Sequence, residues 1–322
     1  MLTFNNQTFI PISLFSLSVD SYPIVDIYAC AKTDRQPFLL IARNEPVDND
    51  LLKQFEGEGV YNLFVTTEGY EHFQEQLRSN WDRLLEDSSI PLKTRLASII
   101  EISRDLLAKA FESKHPETLV RVARSVSRVL ASLINRNQPS LRDLLSVLRH
   151  DDQLPTHSVN VACFSILLAD RLGYPLSDIY KLGAGVLLHD VGMMEIDTKI
   201  SKHARKIDEF ERKDIARHPT LGFRLLCRCA DLSRDELMIV YQHHERVDGK
   251  GYPVALVESE IHPWARLCSV ADVFEASTSD RPRRKKLSVT SAISILRRES
   301  KKSLDAKFVD AWINLLEAEG IE

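Results

Sequence analysis

Residues 182–192 read LGAGVLLHDVG: an unbroken apolar run from Leu182 to Leu188, then His189 and Asp190, then Val191 and Gly192. The run has the character of a buried helix, and two ionisable side chains stand where that helix gives out. Burying an imidazole and a carboxylate without partners is costly. A bound metal offsets that cost, and the two oxygens of one carboxylate can bridge ions about 3.5 to 4 Å apart. The stretch therefore predicts a helical domain built around a metal-holding centre.

Outward from it, the same residue types recur in short local contexts: THS at 156–158, HP at 218–219, HH at 243–244 and AD at 271–272. The candidate ligands are then His157, His189, Asp190, His218, His243, His244 and Asp272. Imidazole mixed with carboxylate suits Fe, Mn, Ni or Zn, whereas an all-oxygen set suits Mg or Ca. His243 and His244 close the apolar segment Leu237 to Tyr241, and successive helical side chains diverge by about 100°, so each can face a different ion. The following Glu245-Arg246-Val247-Asp248-Gly249-Lys250-Gly251-Tyr252-Pro253 has glycines that permit tight turns near a ligand. Taken alone, it reads equally well as a surface turn.

From about Gln74 onward apolar residues fall at three and four spacing, as in Leu92, Leu96, Ile99, Ile100, Ile102 and Leu106. Helices are predicted over 91–112, 117–136, 139–149, 155–172, 178–189, 207–215, 219–229, 233–244, 262–278, 288–298 and 306–318. Gly173 marks a stop and Ser177 a start. Upstream, Phe9–Leu17, Ile24–Ala29, Pro37–Ile41 and Val60–Val65 are β-favouring runs between turn residues, with one helix over Asp48–Glu56. His72, the only histidine there, reads as a surface residue. The fold class is thus α+β: a small α+β module over 1–78, a helical connector over 79–138 and an all-α bundle over 139–322. The helices at 91–112 and 117–136 suit a connector, a dimer surface or part of the bundle.

With 44% hydrophobic and 27% charged residues in 322, the chain is of ordinary globular composition. A formal charge of -4 gives no general pull toward nucleic-acid polymers or anionic membranes. No stretch approaches the roughly 18 to 20 apolar residues that cross a bilayer, and Met1 to Leu17 lacks a signal-peptide pattern, so a cytoplasmic location is expected. The cysteines Cys30, Cys163, Cys227, Cys229 and Cys268 are odd in number and form no paired CxxC, which predicts reduced thiols. Cys227 and Cys229, two apart in a helical pattern, share no face and are not expected to bind metal.

Three motifs, HD at 189–190, HHERVDGKGYP at 243–253 and VADVFEASTSDRP at 270–282, together resemble the HD-GYP family, a branch of the HD hydrolases, over about residues 140–320. The resemblance implies an HD-type helical bundle that cleaves the bacterial second messenger cyclic di-GMP to pGpG and then GMP. It implies a metal centre, most often iron with manganese as the alternative, held by the seven residues named above, with Asp190 bridging. A metal-bound hydroxide would attack phosphorus in line. Asp190 and Tyr252 would serve catalysis, Tyr252 would also touch substrate, and Arg281 and Arg284 would bind phosphate or guanine. The N-terminal part resembles regulatory modules that receive a signalling-protein partner.

The sequence also departs from the family's pattern. Met193 follows Gly192 where a lysine facing the scissile phosphate is usual; Lys199 or Lys202 could supply the missing charge. Gln153 stands four residues before His157, where three-metal members carry a glutamate, so two ions are expected, with His157 completing the pair's shell or touching substrate. Arg283 replaces a tyrosine and Glu275 an aspartate. In RPRRKK at 281–286, Arg283, Lys285 and Lys286 read as readily as a solvated basic run. Competing readings are a receptor that holds cyclic di-GMP at an inactive metallated site, and a hydrolase of another phosphoester.

Overall fold

The structure is a computed structural model and describes residues 2–4, 7–17, 22–30, 36–149, 153–196, 208–280 and 285–321. The chain divides into two compact units, Met1–Asp105 with Asp143–Arg149, and Leu106–Arg142 with His150–Glu322. The division falls inside the helix Leu92–Ser113. The segments 1–78, 79–138 and 139–322 follow changes of periodicity; the units follow packing, which gathers 143–149 with the first half of that helix.

The first unit holds an antiparallel sheet of β1 (Leu2–Phe4), β2 (Gln7–Ser13), β3 (Ile27–Cys30), β4 (Pro37–Ile41) and β5 (Asn62–Thr66), in the order β1-β2-β5-β3-β4. Alternation decides its faces: Leu63 and Val65 of β5 are buried, with Phe64 between them only half-covered. The apolar run predicted over Phe9–Leu17 leaves the sheet after Ser13 and turns through a short 3-10 helix, Leu14–Ser16. Helix α1 (Asn49–Gly57) starts where Asp48 accepts from the amides of Asp50 and Leu51. Helix α2 (Thr67–Ser79) begins earlier than the pattern near Gln74 suggests. Thr66 ends β5 and also caps α2 by accepting from Gly69 N at 3.1 Å, so no breaker residue announces the change. After α3 (Trp81–Glu86), α4 (Leu92–Ser113) supplies Glu101, fully buried, which accepts from Tyr70 Oη at 3.2 Å, Gln74 Nε2 at 3.4 Å and the Arg149 guanidinium.

The remaining described helices are α5 (Pro116–Asn137), α6 (Leu141–Val147), α7 (Leu154–Arg171), α8 (Leu176–Leu187), α9 (Glu209–Ile215), α10 (His218–Leu226), α11 (Arg234–Gln242), α12 (Pro263–Thr278), α13 (Val289–Glu299) and α14 (Ala306–Ala318). In the second unit α8 is the central rod, packed on α5, α7 and α11, and it is buried from Leu182 to Leu187. Ser177 does not cap it: the helix starts at Leu176 behind Pro175, whose carbonyl accepts from the amides of Asp178 and Ile179. Proline's fixed φ leaves that carbonyl ready for the first turn, and Ser177 falls inside it. Gly173, at φ 75°, follows the end of α7 as expected. Phe164 of α7, Phe274 of α12 and Trp312 of α14 meet edge to face, with centroids 5.0 to 5.5 Å apart, and tie three helices together. No helix among the described residues is long and apolar enough to cross a membrane. None of the five cysteines is joined in a disulfide among the described residues.

Candidate metal centre

The chain turns at three helix ends to build the centre. His189 and Asp190 lie in the turn after α8, His218 is the first residue of α10, and His243 and His244 follow α11. His157 comes from the first turn of α7 and Asp272 from the middle of α12. After Asp190 the chain runs as a 3-10 turn, Val191–Glu195, against the start of α10. Gly192 makes this possible, because a Cβ there would overlap the carbonyl of His218 and the amide of Gly222. The end of α11 is tied down by Ser269 Oγ, which donates to the His243 carbonyl at 2.5 Å.

All seven candidate ligands are brought together, as two groups: Asp190, His218, His243 and His244, and His157, His189 and Asp272. Asp190 reaches both. Its Oδ1 lies 3.1 Å from His218 Nε2 and 3.4 Å from His243 Nε2, and its Oδ2 lies 3.6 Å from His157 Nε2 and 3.7 Å from His189 Nε2. His157 Nε2 is also 3.3 Å from Asp272 Oδ1.

The outer nitrogens of the rings decide what the inner ones offer. His189 Nδ1 donates to the Val186 carbonyl at 2.6 Å, His218 Nδ1 to that of Ile215 at 2.7 Å, and His243 Nδ1 to those of Ile239 and Val240 at 3.1 and 3.2 Å. In the neutral rings the proton is therefore on Nδ1, and each Nε2 presents a lone pair inward. His218 Nε2 and His243 Nε2 stand 3.1 Å apart, acceptor toward acceptor, and buried His189 Nε2 has no hydrogen-bond partner. Lone pairs and carboxylates that converge in this way are the donor set a metal cation requires. The donor set fits metal binding.

The charge balance agrees. Burial, against an opposing pull from Asp190 and with His243 and His157 adding to it, pushes His189 down to about 4; burial and then His243 and His218 push His244 well below the ordinary range, so both rings are neutral at pH 7. Burial works against the charged form of Asp190, but His189 and His218, which carry charge at the low pH where this carboxyl would titrate, and hydrogen bonds from His218 and His243 outweigh it and keep it ionised. Burial likewise opposes Asp272, which His157 keeps ionised. At His157 burial lowers basicity, yet Glu275 and Asp272 lift it to about 10. Cys268, one turn before Asp272, is pushed up by burial and by that carboxylate, so its thiol offers no ligand at neutral pH.

Tyr252 stands at the edge of the centre. Its ring is 4.8 Å from that of His244 and 6.3 Å from that of His218, and its amide donates to the His244 carbonyl at 3.2 Å. Burial, then Asp190 and Asp272, raise the phenol above its ordinary value, so it is a hydrogen-bond donor at any physiological pH. The loop carrying it is pinned by Glu245, buried to 3%, whose carboxylate accepts from the amides of Val254 at 2.7 Å, Ala255 at 3.2 Å and Leu256 at 2.9 Å. Only glycine fits at 251, because a Cβ would run into the Glu245–Arg246 backbone.

Met193 is half-buried, and its amide donates to the Asp190 carbonyl at 2.9 Å. Gln153, one turn before His157, is exposed at the N-cap of α7 and makes no side-chain cap there. Lys285 and Lys286 are exposed, in keeping with a solvated run. Arg281, Arg283, Arg284, Lys199 and Lys202 lie outside the described residues. Sequence reasoning missed the roles of Glu275 and Glu245. Position alone does not announce them: Glu275 is three residues past Asp272 and Glu245 directly follows the histidine pair, but a solvated carboxylate could stand at either place.

The sequence model of the HD domain family matches residues 128–308. Among curated proteins, the cyclic di-GMP phosphodiesterase PA4108 of Pseudomonas aeruginosa is 33% identical over 198 residues, 61% of this chain and 46% of that one. The cyclic di-GMP phosphodiesterase response regulator RpfG of Xanthomonas campestris pv. campestris is 33% identical over 46% of this chain and 39% of its own length. The 3'3'-cGAMP-specific phosphodiesterase 3 of Vibrio cholerae is 29% identical over 46% of this chain and 32% of its own. The chain thus spans less than half the length of these relatives. Among solved structures, the HDG"Y"P protein Bd1817 from Bdellovibrio bacteriovorus shares the fold, with a TM-score of 0.68, 18% identity and coverage of 96% of this chain and 100% of that one.

Proposed function

The chain belongs to the HD domain family, and on that premise we propose that it is a metal-dependent phosphodiesterase hydrolysing cyclic di-GMP to pGpG and GMP at a dinuclear centre. The observation that carries this reading is the position of Asp190, whose two oxygens face two separate groups of inward-pointing ligands. His218, His243 and His244 would hold one ion, His157, His189 and Asp272 the other, with iron favoured and manganese the alternative. When bound, such a pair activates water and neutralises charge developing on the phosphoryl oxygens.

The chain's own residues supply the rest. The Tyr252 hydroxyl, held protonated beside the centre, would donate to a phosphate oxygen. Glu245 keeps that loop in place. Arg281 and Arg284 are assigned to phosphate or guanine on the chemistry of their planar guanidinium groups. Residues 1–78 are assigned a regulatory role toward a signalling protein, and 139–322 the hydrolase.

The test is anaerobic incubation of iron- or manganese-loaded protein with cyclic di-GMP, with chromatography for pGpG. Met193 favours a second reading, a receptor that binds the nucleotide without cutting it, since a thioether donates no proton to a leaving group. Nucleotide binding with no product under either metal would replace the first reading with this one. Including 3'3'-cGAMP in the same assay separates the substrates named for the relatives.

A further inference from the structure

Glu275 lies at the heart of the second unit, fully buried, one turn beyond Asp272 on α12. Its Oε2 is 2.7 Å from His157 Nδ1. Its Oε1 accepts from Asn160 Nδ2 at 3.1 Å and from Ser279 Oγ at 2.6 Å. Both oxygens are thus engaged by side chains from α7 and from the end of α12, which is what an ionised carboxylate needs to survive complete burial. Asn160 stands one turn after His157, so the helix that presents the imidazole also presents the amide that steadies its partner.

This arrangement sets His157 apart from the other rings. His189, His218 and His243 give their outer protons to main-chain carbonyls, whereas His157 gives its own to a carboxylate. A carboxylate is the stronger acceptor, so it fixes the tautomer, locks the ring plane and increases the donor strength of the opposite nitrogen. That nitrogen points at Asp272 Oδ1 and Asp190 Oδ2.

We propose that Glu275 is a positioning residue that commits His157 to metal ligation, with Asn160 and Ser279 holding Glu275 in turn, and that it sets the affinity of the ion position shared with His189 and Asp272. The inference rests on the metal-centre reading above. It assigns His157 to the metal shell rather than to substrate, and it makes the two ion positions unequal: one depends on this buried relay and the other on main-chain acceptors.

The experiment is a titration of the metal-stripped full chain with Mn2+ against a competing chelator, with ion content by elemental analysis and thermal unfolding of the stripped protein. The unaltered chain takes up two ions. Glu275→Gln removes the charge at nearly constant volume; it weakens one of the two positions by about 10- to 100-fold and leaves the other unchanged. Ser279→Ala, which keeps the carboxylate and removes one of its donors, weakens the same position to a smaller degree and carries the test if Glu275→Gln does not fold. A purely structural role would lower the unfolding temperature of the stripped protein and weaken both positions alike, and that result overturns the proposal. Unaltered affinity at both positions in the two variants overturns it as well. If the unaltered chain takes up no ion, the metal-centre reading itself fails and the relay falls with it.

Discussion

Replacing Glu245 with glutamine should loosen the Tyr252 loop while leaving the metal shell intact. The carboxylate accepts three main-chain amides in a nearly sealed position, Val254 and Ala255 on Oε1 and Leu256 on Oε2. A glutamine keeps one oxygen for the first two and turns an amino group toward the third, so one charge-assisted bond is lost outright. Such a bond contributes about 1.5 to 3 kcal/mol, which is about a 10- to 150-fold change in an equilibrium constant. Val254 is 51% exposed, so water can reach freed amides nearby, and the lower end of that range is expected. Hydrogen exchange at the amides of residues 254–256 reads the loosening directly: protection should fall by about tenfold or more. Cyclic di-GMP affinity should fall with it, while ion content by elemental analysis stays the same. Unchanged protection would refute the latch. Lost metal would mean that Glu245 supports the histidine pair instead.

Asp190→Ala should remove most bound metal without unfolding the chain, because its side chain faces ligands and not the apolar core; unaltered metal content with an unaltered circular dichroism spectrum would reject Asp190 as the bridge. Met193→Lys should raise pGpG formation by about tenfold or more by restoring a cationic proton donor next to the centre, and an unchanged rate would show that the proton comes from elsewhere. Loading metal at pH 7 should release a proton from His157. The metal-free ring has its pKa raised from 6.5 to about 10, is charged at pH 7, and must lose that proton to ligate. Binding enthalpies in two buffers of different ionisation enthalpy should therefore differ, and equal values would exclude the release. The sign also fixes stability: the His157 contribution to the metal-free fold is complete below pH 6.5 and is lost as pH rises through about 10.

Much of the helical framework was legible because caps and periodicity coincide. The helix expected over 306–318 runs over Ala306–Ala318 behind Asp305, whose side chain accepts from Lys307 N; that expected over 288–298 starts after the Ser288 cap. Pro37–Ile41 was likewise readable as a strand. The short β1 offers too few residues to show alternation, and the start of α2 hides behind a threonine that serves two elements. At the centre, the seven candidate ligands could be picked out from local contexts because each stands beside a helix end or a small residue, and the fold brings them together. Glu275 and Glu245 could not, since a carboxylate inside a helix or a loop looks solvated until the fold shows which donors surround it. The unequal partners of the histidine Nδ1 atoms belong to the same class of fact: they depend on which carbonyl or carboxylate the backbone brings near, and no spacing rule encodes that.

The division of the chain within α4 bears on how the protein can be cut. The polypeptide passes between the units at Asp105–Leu106, again at Arg142–Asp143, and back at Arg149–His150. A shortened chain that begins at residue 79 would retain Leu96, Ile99, Ile100, Leu144 and Val147, all buried in the intact protein and all belonging to the first unit. Cut off from the rest of their unit, side chains of this set would lose cover and face water, and the shortened chain would be expected to aggregate. The N-terminal unit is therefore not an ornament that can be removed at a hinge, and shuffling it between proteins would require the first half of α4 and residues 143–149 to travel with it.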